Sequence, residues 1–212
     1  MPTASQNNIL GGPVRSLIYG LDALLRRSQG VFEFTDDPAC ILRISLARAN
    51  SNQVLADGTR IEPGDLLVNI HLWNERLPRM PREGADLAWA QRMYRQFILS
   101  LRLLAKYIAS NPGPAAARAI YGEPGLFTTG SLDAGLGALT RLGFEIQRPR
   151  AAAGPWQRFA EFWQNLYSYA LLWTFNPGSL WSRTFWGLER CQIWMSRATL
   201  ERLYGPGPQG SR

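Results

Sequence analysis

Residues 40–47 read CILRISLA and residues 66–73 read LLVNIHLW. These two runs decide the fold class. In each, apolar and polar side chains alternate, the period of two that sends successive residues to opposite faces of a strand. Leu42, Ile44 and Leu46 make one face of the first run, Arg43 and Ser45 the other. In the second, Val68, Ile70 and Leu72 point to the core, while Asn69, His71 and Trp73 project together on the opposite side. Asp57-Gly58 and Pro63-Gly64-Asp65, between the runs, are turn signals. The pair reads as a β-hairpin, or as two strands joined through a short extra strand.

Outward from this unit the pattern turns helical. Leu17, Ile18, Leu21, Leu24 and Leu25 recur at helical spacing within 13–27. Beyond Pro78 and Pro81, Asp86 is the N-cap of a long helix that runs to about Ser110 and stops at Asn111-Pro112-Gly113-Pro114. Residues 115–130 follow no clear period and stay unassigned. Ser131 caps a short helix to Leu142, with Gly143 closing it, and Phe144 to Ile146 is a short strand. A linker at 149–155 leads to an aromatic helix at 156–175, ended by Asn176-Pro177-Gly178. Residues 188–195 read as one strand, and Ser196 caps a last helix to Tyr204. Strands mixed with several helices, with no internal repeat, predict an α+β fold. The expectation is a small mixed or antiparallel sheet packed with helices, one domain over 13–205, between a disordered leader (1–12) and a disordered tail (206–212).

Composition narrows the function classes. Of 212 residues, 46% are apolar and 18% charged, enough to build a core. Basic residues outnumber acidic ones 23 to 16, for a net charge of +7, and Lys106 is the sole lysine. Such a surface suits anionic partners. Cys40, Cys191 and the lone His71 are too scattered for a zinc site, and no cofactor motif is present, so neither metal nor cofactor is expected. The two cysteines read as small buried hydrophobes. No apolar h-region follows a basic start, and the longest nearly apolar stretch, 166–175, is about half a membrane span. The reading is a cytoplasmic chain, at most peripheral at the inner membrane face.

The densest polar chemistry lies in residues 69–75, NIHLWNE. His71 could serve as an acid/base group, with Glu75 to orient it. No serine or cysteine nucleophile is placed beside it by any motif, which favours binding over catalysis. The strand at 188–195 has a matching polar side of Arg190, Gln192, Trp194 and Ser196. If all three strands share a sheet, Arg43, His71, Trp73, Arg190 and Trp194 form one layer, suited to a sugar or a phosphorylated planar ligand.

At 100° per residue, the long helix carries Tyr94, Phe97, Leu101, Leu104 and Ile108 on a core stripe. Arg92, Arg95, Arg102 and Lys106 fall within about 80° of one another on the other side, with Leu99 and Leu103 on or beside them. That stripe is a candidate surface anchor for an anionic membrane or an acidic protein partner. Six of the eight tryptophans lie between 156 and 194, which implies an aromatic helix covered on more than one side. Nucleic acid is disfavoured, since no RNP, KH or zinc motif frames the aromatic and Arg residues.

Three stretches together resemble a known family: GVFEFTDDPACILRISLARA (30–49), ADGTRIEPGDLLVNIHLWNERLP (56–78), and NLYSYALLWTFNP (165–177) with ERCQIWMSRATLERLYG (189–205). They look like the YkoP-like domain, a bacterial module often attached to polysaccharide deacetylases. The deacetylase domain, with its metal-binding Asp and His motifs, is missing here, so that activity does not carry over. The resemblance implies a link to envelope-glycan or lipid-linked sugar metabolism. It points to Asp36, Asp37, His71, Asn74, Glu75, Ser196 and Arg197 as residues of interest.

The expectation is therefore a noncatalytic accessory or ligand-binding module with an anionic or carbohydrate-type ligand. Its binding residues would be Arg43, Asn69, His71, Trp73, Asn74, Arg190, Trp194, Ser196 and Arg197. The alternatives are a small transferase or hydrolase using His71 and Glu75, and a structural subunit that docks through its Trp-rich helix.

Overall fold

Alternation at 40–47 and 66–73 becomes an antiparallel strand pair in the computed structural model, which describes residues 20, 24, 27–81, 84–123, 127–128, 132–147, 188–189 and 191–206. Strand β1 (Leu42–Arg48) pairs with β4 (Leu66–Leu72), Leu42 opposite Leu72 and Ser45 opposite Asn69. Between them, β2 (Gln53–Val54) and β3 (Arg60–Ile61) form a two-stranded hairpin. Gly58 at its turn and Gly64 before β4 have φ of 84° and 94°, a left-handed backbone that glycine adopts without a Cβ clash.

Asp86 caps α1 (Leu87–Ser110) by accepting the Trp89 N–H at 2.6 Å. Asn111 closes the other end, its Nδ2 donating to the Tyr107 carbonyl. A short turn, α2 (Pro112–Ala115), leads to β5 (Ala119–Gly122), which runs parallel to β4. Strand β6 (Phe127–Thr128) pairs with β8 (Leu188–Glu189) in a separate small sheet. Helix α3 (Leu132–Arg141) precedes β7 (Glu145–Gln147), and β9 (Gln192–Ser196) runs straight into α4 (Arg197–Tyr204). The main sheet has the order β1-β4-β5-β9-β7 and is mixed: only the β4–β5 pair is parallel. The architecture is α+β.

One sheet face is the core. Leu42, Ile44, Val68, Ile70, Ile120, Ile193 and Met195 meet Leu101, Leu104, Ala105 and Ile108 of α1 and Leu200 of α4. Ser100 pins α1 to the start of β1: its Oγ accepts the Ile41 N–H at 2.9 Å and donates to the Gln96 carbonyl at 2.7 Å. The opposite face carries the hairpin, whose Leu55 and Ile61 pack on Leu67, Ala119 and Trp194. Both cysteines are buried.

Two sequence readings need correction, and the stretch left unassigned gains a strand. Residues 188–195 are not one strand: Leu188–Glu189 pairs with β6, and the main-sheet strand starts at Gln192. Tyr94 is not in the core stripe; at 40% exposure it stands on the helix surface, two turns before the buried segment that starts at Ser100. The unassigned stretch at 115–130 holds β5, the central strand. The Ser131 cap, the 149–155 linker, the 156–175 helix and the terminal 1–12 segment lie outside the described residues. So does most of the 13–27 helix, of which Gly20, Leu24 and Arg27 are helical.

Candidate functional site

Register places one residue from each of the five strands in a line across the hairpin-bearing face. Ser45 is opposite Asn69, Asn69 opposite Tyr121, Tyr121 opposite Trp194, and Trp194 opposite Glu145. Arg43 and His71 are the next cross-strand pair along β1 and β4. The polar sides of β1, β4 and β9 therefore belong to one sheet, and His71 and Trp194 lie on the same face of it.

The upper part of this face is mostly engaged in internal contacts, although the buried Arg43 Nε has no acceptor. Ser45 Oγ and His71 Nε2 are 2.9 Å apart and share a hydrogen bond. Burial pushes the His71 pKa down to about 4, so the imidazole is neutral at pH 7. Glu75 does not orient it; that carboxylate sits in the 3₁₀ turn Asn74–Arg76 and accepts from Arg43 Nη1 at 3.3 Å. Arg43 is only 6% exposed, and its Nη2 donates to Glu33 at 3.0 Å. Trp73 lies just past the strand end, buried, with its N–H bonded to the Ile41 carbonyl. The guanidinium carbons of Arg43 and Arg76 lie 4.2 and 3.3 Å from its ring centroid, a cation–π arrangement. Arg76 also donates to the Asp37 carbonyl at 2.6 Å, and the Asp37 carboxylate accepts the Ala39 N–H. Asp36 is exposed in the same loop.

Ser196 and Arg197 are likewise engaged in structure. Ser196 caps α4, accepting the Thr199 N–H at 2.9 Å, and its hydroxyl donates to Asp57 at the hairpin turn. Burial pushes the Asp57 carboxyl up, but hydrogen bonds from Ser196, the Thr59 backbone and side chain, and Thr199 outweigh it and hold the pKa below the ordinary value. Arg197 binds the Ala115 carbonyl and Glu201. Arg190 lies outside the described residues.

The open part of the face lies lower, beside the hairpin. A groove of about 170 Å³ has Tyr121 and Trp194 as its aromatic wall, with Leu67 beneath. The two rings stack with centroids 5.2 Å apart and planes at 24°. Glu123 and Gln192, joined at 2.9 Å, form one rim. The end of β1, the loop after it and the start of β2 supply the other, with Arg48, Asn50, Ser51 and Gln53. Burial, then the Glu123 charge, raises the Tyr121 pKa, so its phenol keeps its proton. Trp194 is 8% exposed, and its enclosed indole N–H has no hydrogen-bond acceptor. Of the described residues singled out from the sequence as ligand-binding, Trp194 alone lines this groove. Tyr121, and Glu123 just past the strand end, escaped that reading because β5 is four residues long and too short to show a period.

The family model described as the YkoP domain matches residues 14–204. The chain belongs to the YkoP domain family. No curated protein and no solved structure matches this YkoP domain. The match covers the sheet, the hairpin and, among the described residues, helices α1 to α4. Among the described residues, no group of His, Cys, Asp and Glu is arranged to hold a metal ion. Among them, too, no helix is long and apolar enough to cross a membrane.

Proposed function

We propose that this YkoP domain is a noncatalytic binding module whose groove takes a single carbohydrate-type ring, as part of envelope-glycan or lipid-linked sugar metabolism on the cytoplasmic side of the membrane. The observation that carries the reading is the stacked Tyr121–Trp194 pair, set between amide, hydroxyl and carboxylate groups in one small groove. Sugar rings offer apolar C–H faces to aromatic planes and hydroxyls to such a rim. At about 170 Å³ the groove is smaller than the ~300–1,000 Å³ of drug-sized pockets, which suits one ring. One arginine and one glutamate on its rims nearly cancel, which favours a neutral ring over a strongly charged one.

The acid/base reading has less support. His71 is neutral, bonded to Ser45 and outside the groove lining, and Glu75 is paired with Arg43. Calorimetric titration with methyl glucoside, N-acetylglucosamine, glucuronate and glucose 1-phosphate tests the proposal. The expected result is binding of a neutral or N-acetylated ring at about millimolar affinity, as small open sites give, and its loss in Tyr121→Ala. Absence of binding to all four, or binding unchanged in Tyr121→Ala, would overturn it.

A further inference from the structure

Helix α1 has a second face that the groove does not use and whose Leu103 reaches the edge of the core. Its 24 residues contain no Asp or Glu, yet Arg92, Arg95, Arg102 and Lys106 all lie on it. All four are exposed. Among the described residues none of them pairs with a carboxylate; Arg95 bonds only to Gln91, one turn away. The buried residues Leu101, Leu104, Ala105 and Ile108 face the sheet, so the cations, on the other side of the helix, face away from it. From Arg92 to Arg102 and Lys106 the stripe runs for about 21 Å at 1.5 Å per residue. Leu99 and Leu103 lie half-buried within it.

We propose that this face of α1 docks on an anionic lipid surface, with the helix lying flat along the headgroups. Charge complementarity argues for that occupant. Four cations in one row, uncompensated by any acid of the same helix, meet a surface of uniform negative charge without needing a shaped partner. The chain's net charge of +7 adds to the attraction. The helix is long enough to span a bilayer, but four cations make it an interfacial helix and not a spanning one. Since α1 covers one sheet face and the groove opens on the other, docking would turn the groove toward water.

The test is cosedimentation of the full chain with phosphatidylcholine vesicles containing 30% phosphatidylserine, and with pure phosphatidylcholine vesicles. Binding to the anionic vesicles alone is expected, falling as NaCl rises from 50 to 300 mM, since screening shortens the range of surface charges. A cation near such a surface contributes roughly fivefold, so combined Arg92→Gln, Arg95→Gln, Arg102→Gln and Lys106→Gln should weaken binding several hundredfold. Replacing the three arginines with lysine should retain most of it, which separates charge from folding. Equal binding to both vesicles, salt-insensitive binding, or a loss under twofold in the Gln variant would overturn the proposal. Binding of a short DNA duplex with no vesicle binding would also overturn it.

Discussion

His71 shows how a residue singled out for its chemistry is taken up by its surroundings. Alternation in the sequence put it on the polar face, and it is there. What alternation could not convey is that Ser45, the residue diagonal to it across β1, would reach its Nε2, or that burial would hold it neutral. The consequence is measurable. With a folded pKa near 4 and an ordinary value of 6.5, the unfolded chain binds the proton first. Stability is then full above about pH 6.5 and falls as pH drops toward 4. The loss attributable to His71 between pH 7 and pH 5 is about 2 kcal/mol. Urea denaturation at the two pH values should show this loss in the parent and its near-absence in His71→Gln. An equal loss in both proteins would mean that other groups titrate there. Asp57 works in a lower window: its depressed pKa gives stability that is present above the ordinary carboxylate range and is lost as pH falls through the folded value. Arg43 and Trp73 were also legible as neighbours, but their joint burial beneath Glu33 and Glu75 was not, because it depends on the turn after β4.

Long elements with caps were readable from the chain, and short central ones were not. Asp86, Asn111 and Ser196 mark the helix ends where capping chemistry requires them. Strand β5 left no such mark. It sits in the middle of the sheet because β4 and β9 flank it, a tertiary fact invisible in four residues. Its Gly122 nonetheless has a specific reason. A Cβ there would come within 2.9 Å of the Ile70 side chain and 3.3 Å of the Ile70 carbonyl. Gly122→Ala should therefore destabilise the fold by about 1–3 kcal/mol through overpacking, read as a lower denaturation midpoint with an unchanged slope. An unaltered midpoint would show that β5 packs more loosely than described. At the β9–α4 junction, Ser196→Ala removes a helix cap and the hydroxyl held by Asp57. A loss of about 1–2 kcal/mol is expected, and Asp57→Asn should recover little of it. A loss below a few tenths of a kcal/mol would show that the cap is redundant.

At the scale of the whole molecule, the sheet divides the domain into two working sides. Helices α1 and α4 close one face with the apolar core, and the basic row of α1 looks outward from it. The β2–β3 hairpin covers part of the other face and leaves the Tyr121–Trp194 groove open at its edge. The sequence patterns at 40–47, 66–73 and 86–110 were enough to assign both faces. The groove itself was not readable, since it is assembled from a loop after β1, a strand with no period and a rim pair 69 residues apart. The proposed binding of a sugar ring against Tyr121 and Trp194 is open to direct observation. The most direct measurement is an NMR titration of ¹⁵N-labelled protein with N-acetylglucosamine, following the indole N–H signal of Trp194 assigned through Trp194→Phe. A saturable shift of that signal is expected together with the amides of residues 49–53 and 121–123, with His71 and the α1 amides unmoved. Shifts centred on His71 and Asn74, or no saturable shift of the Trp194 signal, would contradict it.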